Sequence, residues 1–175
     1  IAVTALMPFQ VKMLRDLGYG AGFIIAATSM VSLGSIVSLK YWGRLADRFG
    51  NRAIFSISHI GMIFSSFLWI VVEKSSFGSI LIFVLFFVVN VFGSGNGIAQ
   101  TRYLFHAIPS NKQNYINIVN AFFFVACAIG PVLAGLFLYF SRDWHFTSGA
   151  VDLNNYHGLF LLNGLLFLLP HTLRR

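Results

Sequence analysis

Five stretches without any Asp, Glu, Lys or Arg follow one another along this chain, at 17–39, 53–72, 75–101, 113–141 and 153–173. As a helix rising about 1.5 Å per residue, each is long enough to cross a hydrocarbon layer about 30 Å thick. One such run could be the buried helix of a soluble core, but five in succession cannot, and they exceed the usual globular helix. Only 10% of the residues are charged, where soluble domains carry about 25%. Apolar side chains make up 57% and aromatic ones 17%. With no water to satisfy the backbone, helices are the natural spanning structure. The expected fold class is all-α, a polytopic membrane helical bundle.

A net charge of +7 would ordinarily raise the question of nucleic acid. Here the basic residues cluster at the ends of the apolar runs instead, so no nucleic-acid partner is expected. Lys40, Arg44, Arg48, Arg52, Arg102, Lys112, Arg174 and Arg175 fall on one side, and Lys12, Arg15, Lys74 and Arg142 on the other. The positive-inside rule places the richer side in the cytoplasm. Four of the five acids, Asp16, Glu73, Asp143 and Asp152, lie on the outer side, leaving Asp47 alone inside. The single cysteine, Cys127, sits within a span and excludes an intrachain disulfide. Ile1 is no initiator methionine, and the first apolar run lacks a basic signal-peptide region. The expectation is a chain that begins inside a helix and belongs to something longer.

Six segments are expected in one transmembrane domain over 1–175: about 1–14, 21–41, 53–72, 79–105, 115–140 and 156–173. The first is truncated, is broken by Pro8 and ends in the glycine-rich turn "RDLGYG". "EKSSFG" and "SRDWHFTSGAVDLNN" read as outer loops, and "IPSNKQN" as an inner turn. Several segments carry small or polar stripes at helical spacing: Thr28, Ser32 and Ser35; Asn90, Gly93, Gly97 and Gln100; and Gln113, Asn117, Asn120, Phe124, Cys127, Pro131 and Ala134. Such stripes commonly serve close helix packing. An amide is nonetheless costly against lipid, so Asn90, Asn117 and Asn120 should face protein or a wet cavity.

The connection "GRLADRFGNR" concentrates charge and glycine. Gly43 and Gly50 permit close approach or positive φ. Arg44, Arg48 and Arg52 suit the headgroup region, and Asp47 can pair with an arginine or accept at a helix N-terminus. The cluster can latch two helices, or it can simply be a solvated basic loop that sets topology. The stretch resembles the signature loop of the major facilitator superfamily, roughly G-x-x-x-D-R-x-G-R-R/K between the second and third helices of each six-helix half. Gly43, Asp47, Arg48, Gly50 and Arg52 match, and Asn51 stands where that family often has arginine. "ACAIGPVLAG" resembles the family's G-x-x-x-G-P-x-x-G-G. Gly130, Pro131 and Gly135 match there, and Ala126 and Ala134 replace glycines.

The resemblance implies half of a twelve-helix carrier working by alternating access on a small-molecule substrate in a bacterial plasma (inner) membrane. The fourth segment has Val89 and Val91 four residues before Gly93 and Gly95, where the amino-terminal half usually has arginine. The carboxy-terminal half is therefore expected, with a missing amino-terminal six-helix half as its partner. By the same resemblance the first and fourth helices line the pathway. Gln10 and Asn90 become candidate substrate contacts, Asn117 and Asn120 join them, and Gln100 lies nearer the inner mouth. Gly43 to Arg52 would act as a cytoplasmic latch. Gly93, Gly97, Gly130, Pro131 and Gly135 would serve helix kinks and packing.

No span contains a carboxylate of the kind that usually carries protons in membranes. His59 is the one ionisable group deep in a span, and packing is favoured over a relay there. Neither a cofactor nor a metal is expected. His145 and His157 could share a metal across the outer loop, which would suit a membrane enzyme, but they form no close ligand motif. A stand-alone six-helix protein that dimerises to build its own pathway is the remaining alternative.

Overall fold

The computed structural model describes residues 2–108, 114–142, 144–148 and 151–172. Within them six helices alternate in direction: α1 (Ala2–Asp16), α2 (Ala21–Phe49), α3 (Asn51–Leu68), α4 (Ser76–Ala107), α5 (Asn114–Phe140) and α6 (Asn155–Thr172). Trp69–Val71 continue α3 as a turn of 3-10 helix. α2, α4, α5 and the stretch Asn51–Val71 are each long and apolar enough to cross a membrane. The 15 residues of α1 would reach only about 22 Å. Much of the apolar surface is exposed, including Ile36, Phe122 and Phe140, which suits a lipid solvent and would be a liability in water. The chain is an all-α membrane bundle.

Three expectations about the connections need correction. Pro8 does not break α1, which runs through it from Ala2 to Asp16; a spanning helix can absorb one lost hydrogen bond. The glycine–aspartate–arginine stretch is not a loop either. α2 continues to Phe49, α3 begins at Asn51, and Gly50 alone makes the turn at φ 79° while its N–H bonds Ala46 O at 3.0 Å. Only glycine adopts that backbone without strain. Gly43, by contrast, is ordinary helix with open space where a side chain would go. The third correction concerns the polar stretch before α6, which contains an antiparallel hairpin, β1 (His145–Ser148) paired with β2 (Val151–Asn154). The inner turn at 109–113, with Lys112 and Gln113, lies outside the described residues, as do Asp143 and residues 173–175.

The bundle has a hairpin end and a Gly50 end. Its larger core, at the hairpin end, gathers Met13, Leu14, Trp69, Ile82, Leu85 and Phe160 from four helices. A smaller one at the Gly50 end joins Trp42, Ala46, Ile54 and Ala99. α2 packs along α4 through a stripe of Ala27, Gly34, Ser38, Trp42 and Ala46, all buried at helical spacing. A Cβ on Gly34 would collide with Phe87 O, and one on Gly95 would come within 2.7 Å of the Trp42 ring. Gly93 and Gly97, expected as packing glycines, have nothing within 4 Å; Gly95 is the glycine of α4 that meets another helix. α5 buries Gly130, Ala134 and Leu138, four residues apart, and a Cβ on Gly135 would lie 3.5 Å from the Phe9 ring of α1. Pro131 sits inside an uninterrupted α5.

Candidate functional site

α1 and α4 each present an amide at similar depth, because Gln10 lies near the middle of one and Asn90 near the middle of the other. Both line a cavity of about 100 Å³. Its floor is buried: Gln10 is 6% exposed, Ser66 5%, Asn163 4% and Trp69 fully enclosed. Its rim is more open, with Met7 45% exposed and Val89, Asn90 and Gly93 partly so. Asn163 Nδ2 donates to Ser66 Oγ at 3.3 Å, and Ser66 Oγ donates to Met62 O at 3.0 Å. Asn90 Nδ2 donates to Phe86 O at 3.2 Å, which leaves its own carbonyl uncommitted. The Trp69 ring is held edge-on to Phe86, centroids 5.3 Å apart, and tilted against Phe160. No acceptor among the described residues reaches its buried Nε1. Among the described residues, no charged side chain lines the cavity.

Ser66, Trp69 and Asn163 did not emerge from the sequence, because only the first and fourth helices were expected to line the pathway. A signal was nonetheless present. The cost of an amide in hydrocarbon, applied above to Asn90, applies equally to Asn163. Asn117 and Asn120 go the other way. Both are exposed on the first half of α5, and the fold does not bring them to the cavity. Gln100 reaches Asn96 Oδ1 at 3.5 Å and opens, with Arg52 and Tyr103, onto a cleft of about 630 Å³ at the Gly50 end.

At that end Asp47 Oδ1 accepts from Arg102 Nη2 at 2.7 Å, tying the last turn of α2 to α4. Arg102 was read from sequence only as a topology charge. The partners are 69% and 44% exposed, so the pair contributes at most about 1 kcal/mol. Asn51 Nδ2 donates to Ala99 O at 2.9 Å and Trp42 Nε1 to Val91 O at 2.7 Å, so three side-chain bonds tether α2 and α3 to α4 here. Arg48 lies 5.2 Å from the Phe49 ring, and Arg52 is exposed. The hairpin end has a counterpart that sequence reading missed. Lys12 Nζ is 2.8 Å from Asp16 Oδ2 and donates to the Tyr156 hydroxyl at 2.7 Å. That hydroxyl donates in turn to Asp16, which fastens α1 to α6.

Two histidines have structural surroundings. His59 is buried and stacked on Phe55, centroids 4.6 Å apart. His157 is buried, and its Nδ1 accepts the Asn154 backbone N–H at 3.0 Å, a capping role at the start of α6. The side chain of His145 lies outside the described residues.

No curated protein and no solved structure matches the chain. The family model described as Major Facilitator Superfamily matches residues 1–170. With an all-α membrane bundle whose first and fourth helices line a common cavity, and a Gly-Asp-Arg stretch ending its second helix, the chain belongs to the major facilitator superfamily of membrane transporters.

Proposed function

We propose that the chain forms the carboxy-terminal half of a secondary active carrier that moves a small solute by alternating access. Two halves rock about a site near the midplane, as in repeat-built transporters generally. The observation that carries the reading is the cavity that Gln10 of α1 and Asn90 of α4 line together. The Gly50 end faces the cytoplasm of a bacterial cell on this reading. There the Asp47–Arg102 pair holds the end of α2 against α4, and Gly43, Arg48 and Arg52 complete the gating surface. The exposed amides of α5, Asn117 and Asn120, are covered by the amino-terminal half, since lipid would be a poor neighbour for them.

Cysteine accessibility tests the reading. With Cys127 replaced by serine, Asn90→Cys is placed in the full-length protein and treated with a membrane-impermeant maleimide in oriented vesicles. Alternating access expects labelling from each face in turn as conditions shift the carrier between its two states. A residue labelled from one face only under every condition, or from neither, counts against it.

A further inference from the structure

Where α3 begins and α4 ends, the helices leave a basic cleft. About 630 Å³ of space lies between Arg52 and Phe55 of α3 and Gln100 and Tyr103 of α4. Arg52 is exposed and makes no side-chain hydrogen bond or ion pair among the described residues. Arg102, also at this end, is already paired with Asp47. No carboxylate among the described residues lines the cleft. Arg52 is therefore a cation without an anion, with the Tyr103 phenol and the Gln100 carboxamide beside it as uncharged hydrogen-bonding groups.

We propose that the cleft holds the phosphodiester headgroup of one anionic phospholipid of the surrounding membrane, paired with Arg52. A guanidinium offers two parallel N–H donors to two phosphate oxygens, a geometry that an ammonium lacks. Tyr103 and Gln100 can each donate to a further oxygen of the headgroup. Two features of this end favour a lipid over a free anion. Arg52, Ser56, Ile60 and Phe64 follow one another at four-residue spacing along one stripe of α3, and Ile60 and Phe64 are 59% and 62% exposed. A headgroup at Arg52 thus has an apolar track beneath it for an acyl chain, which a free phosphate could not use. Tyr41, Phe49, Tyr103 and Phe105 are also exposed here, as aromatic rings are at the level of lipid headgroups, where basic side chains draw anionic lipid. α3 packs on α2, α4 and α6, whereas α5 packs on α1 and α6. A second half seated on α5, as read above, leaves this flank of α3 to lipid. A bundle in a membrane is enough for such a site, whether or not the chain transports.

Binding of a fluorescent phosphatidylglycerol to the purified full-length protein in neutral detergent tests this, with unlabelled phosphatidylglycerol, phosphatidylcholine and inorganic phosphate as competitors. Phosphatidylglycerol is expected to compete at least tenfold better than phosphatidylcholine, and inorganic phosphate in large excess to displace none of the probe. Arg52→Gln should weaken binding about tenfold with an unchanged melting temperature. Arg52→Lys should recover only part of that loss, because an ammonium cannot grip two oxygens in parallel. Arg44→Gln removes the same charge from the other side of α2, two residues from buried Trp42, and should shift binding less than about twofold. Should Arg52→Gln fail to fold, the competition on the wild-type protein still decides. Equal competition by the two lipids would overturn the proposal. So would displacement by inorganic phosphate, the cleft then taking a soluble anion, or equal losses in Arg44→Gln and Arg52→Gln, which would mean a diffuse surface attraction.

Discussion

Gly50 has little freedom to change, since it turns the chain between two long helices at φ 79°. Gly50→Ala should destabilise the bundle by about 1–3 kcal/mol, read as a lower melting temperature in detergent. Gly43→Ala, in open helix, should not lower it at all. Asp47 differs in kind, because its pair with Arg102 is exposed and energetically small. Asp47→Asn and Arg102→Gln should therefore leave insertion and melting within about 1 kcal/mol of wild type while slowing transport. A double-mutant cycle on the transport rate would reveal whether the two act as one contact. Independent, additive effects would argue against a latch.

At the level of elements, the α2–α4 contact depends on absent side chains. Gly34 meets the backbone of Phe87, and Gly95 meets the Trp42 ring, which a hydrogen bond to Val91 O holds in place. Gly34→Ala and Gly95→Ala should each cost about 1–3 kcal/mol through overpacking, measured by thermal unfolding. Gly97→Ala should be neutral or stabilising by up to about 1 kcal/mol, because its surroundings are open and alanine favours the helix. Glycine count and spacing alone would have ranked Gly93 and Gly97 with Gly95. The helical repeat says which residues share a face but leaves open which face meets a neighbour.

For the whole molecule, the first half of α5 stands out, with Asn117, Asn120, Phe122 and Phe124 all exposed. If a second six-helix half covers this surface, a cysteine at Asn117 should be shielded from a polar maleimide in the full-length carrier and labelled readily in the chain alone. Equal labelling would mean that nothing packs there. A dimer of this chain would also shield the site, but its mass in detergent would be doubled.

Hydrocarbon as the solvent and the all-α class could be read from residue order, because the absence of charge over 20 or so residues has few other physical meanings. So could Gly50 as a position suited to positive φ, whereas Gln10 and Asn90 came together as candidates only through the family resemblance, which put the first and fourth helices on the pathway. Three-dimensional packing decided the rest: that Asp47 meets Arg102, that Gly95 rather than Gly93 or Gly97 meets Trp42, and that Ser66, Trp69 and Asn163 complete the cavity. These contacts join residues from 53 to 97 positions apart, and no local period encodes which helix lies beside which. Inside a membrane the choice among neighbours falls to shape and to the few polar groups that must be satisfied, and both become definite only once the helices have come together.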